Sequence, residues 1–231
     1  MTGRGLATLG TYVLDVVYPR RCAGCGKRGT WLCPQCEAGD ACFSGALCAP
    51  CGVPVARGAC QCHELPASIE RVRSVGAYDG WLRGAVVQMK YHGEWARAGH
   101  LAPLLAQAAA DMLPVDVLVP VPLHPARQKQ RGFNQTEKLA AALAGETGLP
   151  VKRVLERTRR TAPQVGLDAA GRAANVRGAF GMVAGASVAG QTVLLVDDVI
   201  TTGSTLGACA EVLVVAGATT VCVVTVAREL A

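Results

Sequence analysis

Aromatic side chains are nearly missing from this chain: Phe, Trp and Tyr make up 4% of its 231 residues, against 27 glycines. A core short of rings has to be closed by aliphatic and small groups, which suits helices packed closely on a sheet. Charge is sparse too, at 17%, while hydrophobic residues at 51% leave ample material for a core. That length allows one large domain, or one domain plus a small module. No apolar run reaches the roughly 18 uninterrupted residues that read as a membrane span. The opening MTGRGLATLGTYVLDVVYPRRC is broken by Asp15 and lacks a clean small-x-small cleavage site, so it does not read as a signal peptide. A cytoplasmic protein is expected.

Cysteine is absent from most of the chain, yet 11 are present: nine lie between Cys22 and Cys62, and only Cys209 and Cys222 fall outside. In a reducing compartment such clustering points to metal rather than disulfides. The spacing is Cys22-x2-Cys25, then Cys33-x2-Cys36, then Cys48-x2-Cys51, then Cys60-x-Cys62. Each turn aims two thiolates inward, and two turns make the tetrahedral sulfur cage that Zn²⁺ favours. The gaps pair the first two turns at one site and the last two at another, with cross-bracing as the alternative. His63 is available as a substitute ligand at the second site. Cys42 is left over and reads as a small buried hydrophobe. The zinc would be structural, since a head this short cannot build a core of its own.

The charge is uneven along the chain. Residues 1–65 carry 6 basic and 4 acidic side chains, residues 66–190 carry 16 and 9, and residues 191–231 carry 1 and 4. The middle attracts anions, most densely at RTRR, 157–160. The body alternates strand and helix patterns. Strands are predicted at 71–80, 115–124, 151–157, 191–199 and 219–227. Helices are predicted over 81–113 with a break near His92-Gly93, over 131–148 and over 204–218. The alternation implies an α/β fold, a parallel sheet flanked by helices, with ligands beyond the carboxyl ends of the strands.

One such end carries VLLVDDVITTGST, Val193 to Thr205. A loop entering a helix presents free N–H groups and suits a phosphate, and Gly203 lets the backbone approach closely. Lysine is missing from it, which excludes a Walker A loop. Two carboxylates at a buried strand end are costly without partners. They repel phosphate but suit hydroxyls, so a ribose 5-phosphate satisfies both halves. The plainer alternative is an N-cap cluster on an ordinary helix, with the aspartates holding water or a metal.

VLLVDDVITTGST resembles the phosphoribosyl pyrophosphate (PRPP) signature of type I phosphoribosyltransferases. YDGWLRGAVVQMKYHG, DVLVPVPLHPARQKQRGFNQTEKLA and RTRRTAPQVGLDAAGRAANVRGAF narrow the resemblance to the ComF family of competence proteins, across nearly the whole chain. It implies a small zinc-ribbon module in residues 1–65, with an N-terminal helix and a double ribbon, joined to a type I phosphoribosyltransferase fold in residues 66–231. It further implies that Asp197 and Asp198 hold the ribose hydroxyls, and that Thr201, Thr202, Gly203, Ser204 and Thr205 hold the 5-phosphate. Arg127, Lys129 and Arg131 suit the pyrophosphate, or form a solvated basic face. Segment 157–164 is similar to the mobile hood, with Arg159 and Gln164 as its contacts. Arg172 and Asn175 either position that hood or cap a helix. His124 is available as a base, though a lone His beside two prolines is more often a loop residue.

The implied activity is Mg²⁺-dependent pentosyl transfer from PRPP to an acceptor that the sequence leaves open, in DNA uptake and natural transformation. The alternative is a non-catalytic PRPP sensor, or a component that binds single-stranded DNA or other DNA-uptake proteins.

Overall fold

The computed structural model describes residues 20–39, 41–57, 60, 62, 65–159, 176 and 178–230. The expected N-terminal helix, His63, Gln164, Arg172 and Asn175 lie outside the described residues.

Four strands form one parallel sheet: β1 (Arg71–Ala77), β2 (Val117–Pro120), β5 (Thr192–Ile200) and β6 (Thr220–Arg228), in the order β1-β6-β5-β2. Their Val- and Leu-rich runs are buried on both faces, as a parallel sheet covered by helices requires. A short helix, α1 (Pro34–Glu37), lies in the cysteine head. On β5, Leu194 and Val196 face a core shared with α2 (Gly80–Tyr91), α3 (Arg97–Ala109) and α5 (Gln135–Thr147). Val193 and Leu195 face the other way, toward α6 (Ser204–Val215) and a small antiparallel pair, β3 (Leu155–Arg157) with β4 (Phe180–Met182).

The helices start and stop where their end residues dictate. Asp79 caps α2 by accepting from the N–H of Gly80 at 2.7 Å. Asn134 caps α5 through the N–H of Thr136, and Gly148 closes it in the left-handed region. The predicted break at His92-Gly93 separates α2 from α3, and Gly93 has a positive φ. Two expectations change, and one unpredicted helix is present. The basic run after β2 is itself a helix, α4 (Pro125–Arg131), begun by His124, whose Nδ1 accepts from the N–H of Ala126. Segment 151–157 divides: Val151 makes a parallel bridge to Leu118 of β2, while β3 at its end joins β4. Cys42 is exposed, not buried.

Among the described residues the cysteine head has no separate core. Cys22, Ala23, Leu32, Cys33 and Ala41 pack in the same cluster as Trp81 and Leu82. Residues 41–43 run antiparallel along the free edge of β1: Phe43 donates to the Val75 carbonyl and Ala77 to that of Ala41. Three buried arginines of the body reach carbonyls of the head. Arg73 bonds Cys48 and Ala49, Arg97 bonds Arg21 and Trp31 while lying over the Trp31 ring, and Arg228 bonds Cys51. At the opposite edge, residues 150–152 pair with Leu118. Both sheet edges are therefore closed.

Candidate functional site

All four parallel strands end at one cavity of about 810 Å³. Tyr78 follows β1, Val121 to Leu123 follow β2, residues 197–206 come from β5 and the loop after it, and Glu229 follows β6. Asp197 and Asp198 sit at the floor, 9% and 5% exposed. Strand alternation sends them to opposite faces of the sheet. Asp198 looks toward α2 and α5: Lys90 Nζ is 2.7 Å from its Oδ1, and Gln135 Nε2 donates to its Oδ2 at 2.8 Å. Asp197 looks the other way, and its Oδ1 accepts from the N–H of Asp198 at 2.8 Å.

Burial pushes Asp197 up to about 7, and the Asp198 carboxylate adds to the rise; Lys90, the Asp198 N–H and Arg157 pull against it. Burial would lower Lys90, but the Asp198 charge overrides it, and the lysine is held above its ordinary value. The pair therefore sits beside the Lys90 ammonium.

The hydroxyl loop forms the wall next to the aspartates. Gly203 is the N-cap of α6 at φ +74, a backbone position that L side chains rarely adopt, and no side chain caps this helix. Thr202 and Ser204 hydroxyls lie 2.9 Å apart, and Thr201 to Thr205 all line the cavity. Opposite, α4 contributes Arg127, Gln130 and Arg131. Arg131 bonds Gln135 and lies over the Tyr91 ring, 5.6 Å from its centre. Burial lowers Arg131. Lys129 is on the same helix but does not line the cavity. Of the 157–164 segment, Arg157 lines the cavity, while Arg159 is exposed and outside it.

The cysteines form two sets, Cys22/Cys25/Cys33/Cys36 and Cys48/Cys51/Cys60/Cys62, with the sulfurs of each set within 4.8 Å of one another. Cys25 and Cys33 are 3.7 Å apart, Cys48 and Cys60 3.5 Å. Sulfurs bound tetrahedrally at about 2.3 Å would be about 3.8 Å apart, so both sets fit zinc. Burial pushes the Cys22 thiol up, but N–H groups of Cys25, Cys33 and Gly24 outweigh it and bring it down to about 6. The sets pair first turn with second and third with fourth, not crosswise. Cys62 supplies the fourth sulfur of the second set.

Residues 116–231 match the family model described as phosphoribosyl transferase domain. Over 216 residues the chain is 35% identical to the DNA utilization protein YhgH of Salmonella typhi, covering 90% of this chain and 89% of that one. The chain belongs to the ComF family. A second ComF-type relative, Competence protein F of Haemophilus influenzae, is 31% identical over 194 residues, 79% of this chain and 83% of its own. Among solved structures, the glutamine PRPP amidotransferase of B. subtilis aligns at a TM-score of 0.40 with 28% identity, covering 57% of this chain and 26% of that one. With the family model and the helix-flanked parallel sheet, this ComF chain has the type I phosphoribosyltransferase fold, and its two four-cysteine sets fit a double zinc ribbon.

The sequence reading missed Lys90, Gln135 and Tyr78, and it placed Arg157 in the anion-attracting segment without naming it as a contact. Lys90 had a signal: it lies four residues after buried Val86 and beside buried Met89, at the edge of an apolar helix stripe, just before the break. Gln135 follows the cap Asn134, and nothing local marks it as the partner of a residue 63 positions away.

Proposed function

We propose that this protein binds PRPP with Mg²⁺ and transfers its phosphoribosyl group to an acceptor, within the handling of incoming DNA that the names of its relatives indicate. The observation that supports this reading is the meeting, in one cavity, of the Asp197–Asp198 pair, the Thr201–Thr205 loop, and the guanidinium groups of Arg127, Arg131 and Arg157. Asp197 and Asp198 accept hydrogen bonds from the ribose hydroxyls. The loop and the first turn of α6 hold the 5-phosphate. In the transfer, the bond between the anomeric carbon and the pyrophosphate oxygen breaks as the acceptor bonds to that carbon. Arg127 and Arg131 neutralise charge on the departing pyrophosphate. Mg²⁺ supplies further neutralisation on the phosphates, and the carboxylates here are the hard oxygen donors it prefers. Zinc in the two cysteine sets is structural, since sulfur fills every position.

PRPP with Mg²⁺ is expected to raise the melting temperature, and Asp197→Ala with Asp198→Ala to abolish the rise. An unchanged rise in the double variant would sink the site assignment. A pyrophosphate-release screen with bases, amines and oligonucleotides then separates turnover from sensing.

A second reading, a single-strand DNA surface, is favoured by two exposed aromatics at and near the cavity mouth. Tyr91 and Trp95 are 71% and 51% exposed, and each has a cation over its ring, Arg131 and Lys138. Bases stack on such rings while cations meet the phosphates. Tyr91→Ala with Trp95→Ala should weaken salt-sensitive oligonucleotide binding by tenfold or more, at about 1–3 kcal/mol per stacked base. Equal affinity in the double variant would remove this reading.

A further inference from the structure

We propose that Lys90 is the positioning residue of the sugar site, a built-in counter-cation that fixes the Asp198 carboxylate in place at the edge of the cavity. The proposal rests on the sugar-site reading above and adds to it a residue outside the signature loop. Three observations carry it. The ammonium contacts Asp198 Oδ1 at 2.7 Å while Gln135 takes Oδ2, so both oxygens are anchored from the α2–α5 side of the sheet. Lys90 lies in the last turn of α2, where the carbonyl end of the helix favours a cation. Its side chain is only 22% exposed, so a lysine is kept out of most of its water to make this one contact.

The surroundings explain why a cation is needed there. Asp197 and Asp198 are adjacent and buried, and two such charges oppose each other's ionisation. On the α2 side Asp198 faces Lys90 and Gln135, with Arg131 of α4 nearby and Tyr78 behind the lysine. On the other side Asp197 is faced by Arg157 of β3 and Cys209 of α6. After burial and the Asp198 charge, which raise Asp197, Lys90 is the leading influence that lowers it. Lys90 offsets that opposition and fixes where Asp198 presents its oxygens to a ribose diol.

The test compares wild type, Lys90→Met, Lys90→Gln and Lys90→Arg in PRPP·Mg²⁺ titration calorimetry, with melting curves to confirm folding. The neutral variants should bind roughly ten- to hundredfold more weakly, the range for a lost charged hydrogen bond. Lys90→Arg should restore affinity to near the wild-type value. Wild-type affinity in both folded neutral variants, or a folded Lys90→Arg that binds as weakly as they do, would overturn the proposal. If wild type binds no PRPP, the sugar-site reading falls by itself. Carboxyl-carbon NMR of the same free proteins then decides the lysine's role: an Asp198 signal unmoved without the ammonium would overturn it.

Discussion

Asp197 is held in the fold at a cost. Its carboxyl is pushed up to about 7 by burial and by Asp198, whereas in an unfolded chain it would ionise near the ordinary carboxylate value. The native state therefore binds a proton that the unfolded state has released, between about pH 4 and pH 7. The group's contribution to stability falls as pH rises through that window, and its penalty is complete above pH 7. Asp197→Asn keeps the oxygen that accepts the Asp198 N–H and removes the charge. It should stabilise the protein by on the order of 1–3 kcal/mol above pH 7 and by almost nothing near pH 4, with PRPP binding lost. Urea melts of both proteins across that range check this; a pH-independent difference would show that the carboxyl titrates normally. The aspartates and the hydroxyl loop were legible in the sequence because paired carboxylates at the end of an apolar run announce themselves. Lys90 and Gln135 were not, because each acquires its meaning only when α2 and α5 are folded onto β5.

At the scale of elements, the alternation of strands and helices was readable because buried parallel strands are continuous apolar runs bounded by Gly and Pro. β4 and α4 escaped. Phe180–Met182 is too short to show alternation, and α4 has no buried residue to mark a periodicity. The edge of β1 carries a different kind of information. A Cβ at Gly76 would lie 1.8 Å from the Ala41 carbonyl oxygen and 2.6 Å from Leu82 Cδ1. The glycine is what lets residues 41–43 lie along the strand. Gly76→Ala should force that segment away and cost about 2 kcal/mol or more, since backbone rather than a mobile side chain is in the way. Hydrogen exchange should then show the Ala77 amide losing protection along with the head. Retained protection with wild-type stability would mean that the segment adapts.

Over the whole molecule, composition divides the chain near residue 65, yet the packing runs straight across that point. Arg73, Arg97 and Arg228 are scattered through the body, and none stands out locally; each is explained only by head carbonyls up to 177 positions away. The basic middle is likewise partly spent on holding the molecule together, while Arg127, Arg131 and Arg157 line the cavity. The sheet order has a consequence for how such a chain is made. β6 is the last strand of the sheet to leave the ribosome, and it takes an interior place between β1 and β5. Until it arrives β1 has no sheet partner, and Arg228 is not there to grip Cys51. The cysteine head, made before the sheet, therefore lacks the Arg228 part of its docking surface until β6 has emerged.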